Sequence, residues 1–195
     1  MAGIAKLHEY WTPIADLANT VIAGQGTNDD IAEMAQQSEL LLEIAKRLVV
    51  QISGQYANQT SVLQSDAFAI DLAGRQRMLS QRISKNTCLL ENNILPETAA
   101  AELAETSEIF EATLTALYGG MTEAGINPPP NDDISAGIAL VIETWTGVQP
   151  VISAVAAGEP VDPAELEAVF LNCNKMTGDM NTVVGMYAAA SKMGV

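Results

Sequence analysis

The sequence predicts an all-α protein built around an antiparallel four-helix bundle. Hydrophobic residues make up 48% of the 195-residue chain but aromatic residues only 5%, and abundant Ala, Leu and Met favour helices. Alternating runs of β-branched and aromatic residues, which are typical of strands, are weak. Apolar residues instead recur at helical spacing over long segments that end at Gly or Pro.

Five helical segments are expected in order along the chain. The first spans about residues 4–23 and ends at the glycines of "GQG". The second begins at the N-cap of "TNDD" and, with a weak point at a glycine, could continue as one long helix over about residues 27–92. The third occupies about residues 96–118, between a proline and a pair of glycines. After the loop "NPPPN", the fourth and fifth span about residues 132–157 and 163–192.

An internal repeat relates the two ends of the chain. "IAKLHEYWTPIADLANTVIAGQ", from residue 4, resembles "IALVIETWTGVQPVISAVAAGE", from residue 138, and an acidic, N-capped helix follows each copy. Trp11 thereby matches Trp145, and Gly24 matches Gly158.

The repeat predicts two modules of unequal completeness. Residues 58–195 hold the four helices of a complete bundle, whereas residues 1–57 hold only the last two helices of another. A two-helix hairpin cannot bury its apolar stripes alone. It is therefore expected either to pair with the same hairpin of a second chain or to be completed by helices that precede residue 1 in the natural protein.

Composition argues against several classes of function. The net charge of −15 disfavours general nucleic-acid binding and attachment to an anionic membrane. No apolar run approaches the length that a membrane-spanning helix needs, and the first residues do not have the order of a signal peptide, so we expect a cytosolic chain or one whose leader has been removed. His8 is the only histidine, and neither a catalytic triad nor a metal site can be assembled around it. We therefore expect no enzyme, no catalytic residue, no metal and no cofactor.

The two cysteines, Cys88 and Cys173, have no metal-binding spacing. In an up-down bundle they would lie towards the same end of two neighbouring helices. A disulfide, which needs an oxidising compartment, and two free thiols both remain open.

Cations are concentrated in "DLAGRQRMLSQRISKN", residues 71–86. This stretch contains four of the nine Lys and Arg residues, against 24 acids in the whole chain. Asp71 can pair with Arg75, but no other acid lies within the stretch. The ordinary interpretation, a solvated face laced with ion pairs, therefore does not account for the remaining cations.

Helical geometry separates Arg77 from the core. An apolar stripe is expected to face the core of the bundle, and Arg77 lies far round the helix from it, beside Gly74. A small residue next to an arginine suits close approach of a second helix. Two copies of Arg77 across a two-fold axis would repel each other by roughly 4 kcal/mol at about 4 Å unless an anion lay between them. The predicted stripe is Phe68, Leu72, Leu79, Ile83 and Leu90.

The stretch "DAFAIDLAGRQRMLSQRISK", residues 66–85, resembles the PilJ-type sensor domain of type IV pili methyl-accepting chemotaxis transducers. It is also similar to the nitrate-recognition box of nitrate/nitrite sensor histidine kinases, DA-x-x-x-N-x-AG-x-x-RM-x-S-x-R. The chain departs from that pattern at Asp71, where the box has Asn; this carboxylate would tune or weaken anion affinity.

The resemblance implies a periplasmic helical sensor that binds nitrate, or secondarily nitrite, at the interface of a homodimer and signals through a partner protein. By position, Arg77 and Gly74 would hold the anion. Arg75, Ser80 and Arg82 are further candidates that could instead serve packing. The alternative is a structural helical module for pilus or receptor assembly, in which the arginines contact an acidic partner chain.

Overall fold

The computed structural model describes residues 2–56 and 64–193, which fall into two compact units, Met1–Gln59 and Thr60–Val195. These residues form six α-helices and one short 3-10 helix; within the described ranges the only β-type pairing is an isolated bridge between Met121 and Ile126. The predicted all-α class is confirmed.

The first unit is a helical hairpin of α1 (Ala2–Ile22) and α2 (Asn28–Tyr56). Gly3 near the start of α1 lies against Leu48 near the end of α2, so the two helices are antiparallel. Thr27 and Asp30 form a capping box, in which the Thr27 N–H donates to Asp30 Oδ2 over 2.7 Å and the Asp30 N–H donates to Thr27 Oγ1 over 3.2 Å. The bonds from the backbone and hydroxyl of Thr27 lower the pKa of Asp30. The "TNDD" motif thus starts α2 where the sequence placed it.

The second unit is the four-helix bundle. Its helices are α3 (Gln64–Glu91), α4 (Pro96–Gly119), α5 (Asp132–Ala156) and α6 (Pro163–Met193). Both α3 and α5 pack beside α4 and α6, so helices adjacent in sequence are also adjacent in space. Whether one long helix joins the two units, as the sequence allows, concerns residues 57–63 and lies outside the described residues.

Helix ends follow the chemistry of individual residues. The α3–α4 connection is tight, with Leu95 in the left-handed region at φ 48° directly before Pro96. Gly120, at φ 78°, ends α4, and Asn131 caps α5 by accepting from the Ile134 N–H over 3.0 Å. These caps account for the predicted boundaries at both ends of the central loop.

The bundle core centres on an aromatic pair from neighbouring helices. The rings of Phe110 on α4 and Trp145 on α5 meet edge to face, with centroids 5.1 Å apart. Other core side chains come from all four helices and include Ile83, Leu103, Leu114, Ile138, Val141, Met176 and Met180.

Helix α5 has the length and apolar composition of a membrane-crossing helix, with a mean hydropathy of 1.4 over an 18-residue window. The prediction that the chain has no apolar stretch long enough to span a membrane was therefore wrong for α5, by length and composition alone. One face of α5, including Ile138, Trp145 and Ile152, is nevertheless buried in the bundle. A helix that serves as one wall of a core meets the same criterion.

Candidate functional site

The candidate residues lie on α3, whose core face includes Leu79, Ile83 and the partly buried Leu72 and Leu90 of the predicted stripe, but not Phe68. Phe68 is 40% exposed, whereas Ala73 and Ser80 are fully buried. The core face is therefore turned towards small residues, which let the neighbouring helices approach α3 closely. The buried positions on α3 are Ala69, Ala73, Gln76, Leu79, Ser80, Ile83, Asn86, Thr87 and Leu89.

Arg77 lies at the border between α3 and α6. Its Nη1 donates to Asn181 Oδ1 over 2.6 Å, and its Nε donates to the Gly74 carbonyl over 3.2 Å. These two bonds occupy two of the five N–H donors of the guanidinium. Arg77 makes no ion pair within the described ranges, and Nη2 and one hydrogen of Nη1 remain available to an acceptor.

Gly74 leaves open space under the guanidinium. A Cβ built on Gly74 would lie 3.6 Å from Arg77 Nη2, an ordinary van der Waals contact. Alanine therefore fits without strain, but its methyl group would occupy the surface beside the free Nη2 donors. The glycine therefore leaves the surface beside the Nη2 donors uncovered.

A polar seam joins α3 to α6 next to Arg77. The hydroxyls of Ser80 and Thr177 are 2.8 Å apart, and Gln81 Nε2 donates to Thr177 Oγ1 over 2.8 Å and to Asn174 Oδ1 over 2.9 Å. Rising numbers on α3 pair with falling numbers on α6, so the helices are antiparallel. Since Ser80 is fully buried, it joins the two helices rather than facing a ligand from solvent.

Arg75 and Asp71 pair with each other, away from Arg77. Their side chains are 2.7 Å apart and both largely exposed. At about 100° per residue, Arg75 lies roughly 160° round α3 from Arg77. Asp71 thus neutralises Arg75, as the sequence allowed, and the structure does not bring either residue to Arg77.

Arg82 and Lys85 lie on the opposite side of α3, where both form ion pairs with Glu102 of α4. Arg82 Nη2 and Lys85 Nζ lie 3.5 Å and 3.7 Å from Glu102 Oε2, and Asn86 Nδ2 donates to the same oxygen over 3.2 Å. The sequence missed Glu102 because it lies on another helix. The cations of α3 therefore divide into three groups: Arg77, Arg75, and the pair Arg82 and Lys85. Among the described residues, only Arg77 of these four has no carboxylate partner.

Residues 59–169 match the family model described as "Type IV pili methyl-accepting chemotaxis transducer N-term", named PilJ. The chain belongs to the PilJ family. The match covers more than half of the chain and includes all of the candidate residues on α3.

A solved structure supports the same fold for this PilJ-type sensor domain. The ligand-binding domain of the P. aeruginosa nitrate receptor McpN is 24% identical, with a TM-score of 0.52 over 66% of this chain and 98% of that one. No curated protein sequence matches significantly. The family match makes the second unit a PilJ-type sensor domain, and the likeness to the McpN domain supports its all-helical fold.

The PilJ match ends within α6, before the partners that the sequence reasoning missed. Asn174, Thr177 and Asn181 follow one another at helical spacing on the face of α6 towards α3. Polar residues at that spacing within an apolar helix were a detectable signal. Their pairing with Arg77 and Gln81 was not, because it joins residues up to 104 positions apart.

Cys88 and Cys173 are both free thiols in the structure, which is one of the two states that the sequence left open. Cys173 is fully buried, and desolvation raises the pKa of its thiol to about 12. Cys88 is an exposed residue, and partial burial of its sulfur raises its pKa above the ordinary value. The two side chains thus lie in different environments although their helices are neighbours. Among the described residues no group of three or more His, Cys, Asp or Glu could hold a metal ion.

Proposed function

We propose that this PilJ-type domain senses nitrate, and nitrite more weakly, through Arg77 at an interface between two copies of the chain. The observation that carries the proposal is the half-buried Arg77 guanidinium, which has a fixed orientation but free N–H donors beside Gly74. A planar guanidinium matches a planar oxyanion in geometry and charge. The printed description of McpN as a nitrate receptor suggests the ligand.

The outer surface of α3 supports an interface with a second α3. Ala67, Ile70, Gly74, Arg77 and Gln81 are all partly or largely exposed and follow the alternating spacing of three and four residues that is typical of paired helices. Two of the five are small and one is apolar, which suits close helix contact. Gly74 is the middle residue of this seam and Arg77 is the next, so a symmetric pair that crosses near Gly74 brings two guanidiniums together.

Anion binding would then be coupled to how closely the α3 helices of the two copies pack against each other. Without an anion the facing arginines repel, and with one each arginine gains an attraction. An affinity between about millimolar and micromolar corresponds to roughly 4–8 kcal/mol, which two arginines with free N–H donors can supply. A ligand that changes the favoured helix arrangement fulfils the physical requirement of a sensor.

The family match supports a location and a signalling role that are part of the same proposal. The chain would act in the periplasm and pass the signal to a partner protein of a chemotaxis-type or two-component-type system. Residues 1–57 would correspond to the second half of a first PilJ-type module, and residues 58–195 to a complete one. No catalytic step is proposed.

Isothermal titration calorimetry with nitrate, nitrite and chloride tests the anion site. Nitrate should bind more tightly than nitrite and at least tenfold more tightly than chloride, because only the oxyanions match the donor fork. Arg77→Ala should abolish binding. Arg75→Ala is the matched control, since it removes a cation of the same helix whose charge Asp71 already neutralises. Absence of heat at millimolar nitrate, or equal losses in both variants, would favour the structural-module alternative.

A further inference from the structure

The α1–α2 hairpin leaves much of its apolar surface uncovered. Its buried hydrophobic residues, among those whose side chains are described, are Ile14 and Ala35. Ile4 is 63% exposed and Trp11 is 51% exposed. At about 100° per residue, Ile4, Trp11 and Ile22 lie within roughly 20° of one another on α1. They therefore form one apolar face rather than scattered contacts with solvent.

The backbone at the end of α1 repeats that at the end of α5, as the sequence repeat predicts. Gly24 and Gly158 end these helices at φ 71° and φ 70°. The bonds from Ala23 N–H to Asn19 O, Gly24 N–H to Val21 O and Gln25 N–H to Thr20 O recur between the matching residues at the end of α5. The same three-bond cap supports a residue-by-residue comparison of the two helices.

The comparison indicates that the exposed apolar face of α1, formed by Ile4, Trp11 and Ile22, corresponds to a face of α5 that is buried in the bundle core. Ile4 matches Ile138, which is fully buried, and Trp11 matches Trp145, which packs edge to face on Phe110 of α4. In the bundle, α5 packs against α3 and α4 as well as against α6, and Trp145 of this face meets Phe110 of α4. The α1 face has the same sequence pattern and no such cover within its own unit.

We propose that the bare face of α1–α2 binds the same hairpin of a second copy of the chain, so that two hairpins complete a four-helix bundle. The cover must present two helices with a matching apolar face. Helices α3 and α4 are already packed on α5 and α6, and a second α1–α2 offers the missing pair. The acidic residues of α1, Glu9 and Asp16, lie more than about 100° from Trp11, so the contact desolvates neither carboxylate.

The available area suits a weak dimer. Helix α1 has 21 residues and is therefore about 30 Å long, and two helices are about 20 Å wide. Each hairpin thus offers a face on the order of 600 Å², or about 1,200 Å² for the pair, at the lower bound for specific stable interfaces. We expect association at micromolar concentrations.

Sedimentation equilibrium of the full chain without nitrate tests the proposal directly. The chain should be dimeric at about 100 µM and dissociate on dilution. Ile4→Glu, which places a charge on the apolar face, should shift the midpoint to at least tenfold higher concentration, with helicity checked by circular dichroism. Glu9→Gln on the opposite side is the matched control. Arg77→Ala removes the repulsion between facing arginines and should therefore not weaken this association, whereas it abolishes nitrate binding, which separates the hairpin contact from the anion site.

Tryptophan fluorescence gives a second readout. In Trp145→Phe the sole remaining tryptophan is Trp11, whose emission should shift to the blue and become protected from acrylamide as concentration rises. A monomeric wild-type chain at 100 µM would overturn the proposal. So would equal association of wild type and Ile4→Glu, or a Trp11 that stays open to quenching in the associated chain.

Discussion

Replacing Gln76 by methionine should stabilise the second unit. The Gln76 side chain is fully buried at the centre of the α3 core face, and neither Oε1 nor Nε2 has a hydrogen-bond partner within the described ranges. Methionine has nearly the same length and volume but no strongly polar group. The substitution therefore removes a buried polar group without opening a cavity.

The expected gain follows from the desolvation of the amide. A buried polar group without a hydrogen bond costs about 1–3 kcal/mol in proteins. We expect the free energy of unfolding to rise by about that amount in Gln76→Met. For a unit of this size each kcal/mol corresponds to roughly 4 °C, so the midpoint should rise by about 4–12 °C.

Urea unfolding followed by far-ultraviolet circular dichroism measures the change, and in a Trp11→Phe background the emission of buried Trp145 reports the second unit alone. Gln81→Met is the control with the opposite sign. It removes the two hydrogen bonds to α6 and should lower the free energy of unfolding by about 1–2 kcal/mol. A gain below about 0.5 kcal/mol in Gln76→Met, or any loss, would refute the reasoning and indicate that the amide is hydrogen-bonded in solution.

Three further changes probe the ion pairs, the thiols and the site. Glu102→Gln should lower the free energy of unfolding by about 1–3 kcal/mol, because it leaves two partly buried cations on α3 without their shared carboxylate; equal urea midpoints for wild type and variant would contradict this. Dithionitrobenzoate should label one thiol, Cys88, in the folded chain and a second, Cys173, only in urea. The raised pKa of Cys88 also predicts that its alkylation rate keeps rising above pH 9, and rapid native labelling of both thiols would refute their assignment. Asn181→Asp should weaken nitrate binding about 3- to 30-fold in calorimetry, because a carboxylate replaces the amide 2.6 Å from the Arg77 guanidinium; tighter binding would show that the two residues do not share the site.

The fold could be predicted from the sequence because its signals are local. Caps such as "TNDD" and the glycines after α1, α4 and α5 mark helix ends through their own backbone chemistry. The long Asp132–Ala156 helix was placed within a residue at each end. Helix length and order then leave few arrangements for four consecutive helices with short connections.

The candidate site was predicted less completely because its details depend on packing between helices. Hydrophobicity alone placed Phe68 in the core, but close packing on α3 selects the small residues Ala73 and Ser80 instead. The separation of Arg77 from Arg75 followed from helical geometry. The contacts of Glu102 and Asn181 with α3 did not, since no local pattern encodes which side chains meet across a bundle.

The stoichiometry of nitrate binding tests the central claim most directly. If two copies of Arg77 share one anion, calorimetry on the full chain should give 0.5 nitrate per chain, and this binding should disappear in Arg77→Ala. A value of 1.0 with binding retained in a chain that stays monomeric would contradict the shared site.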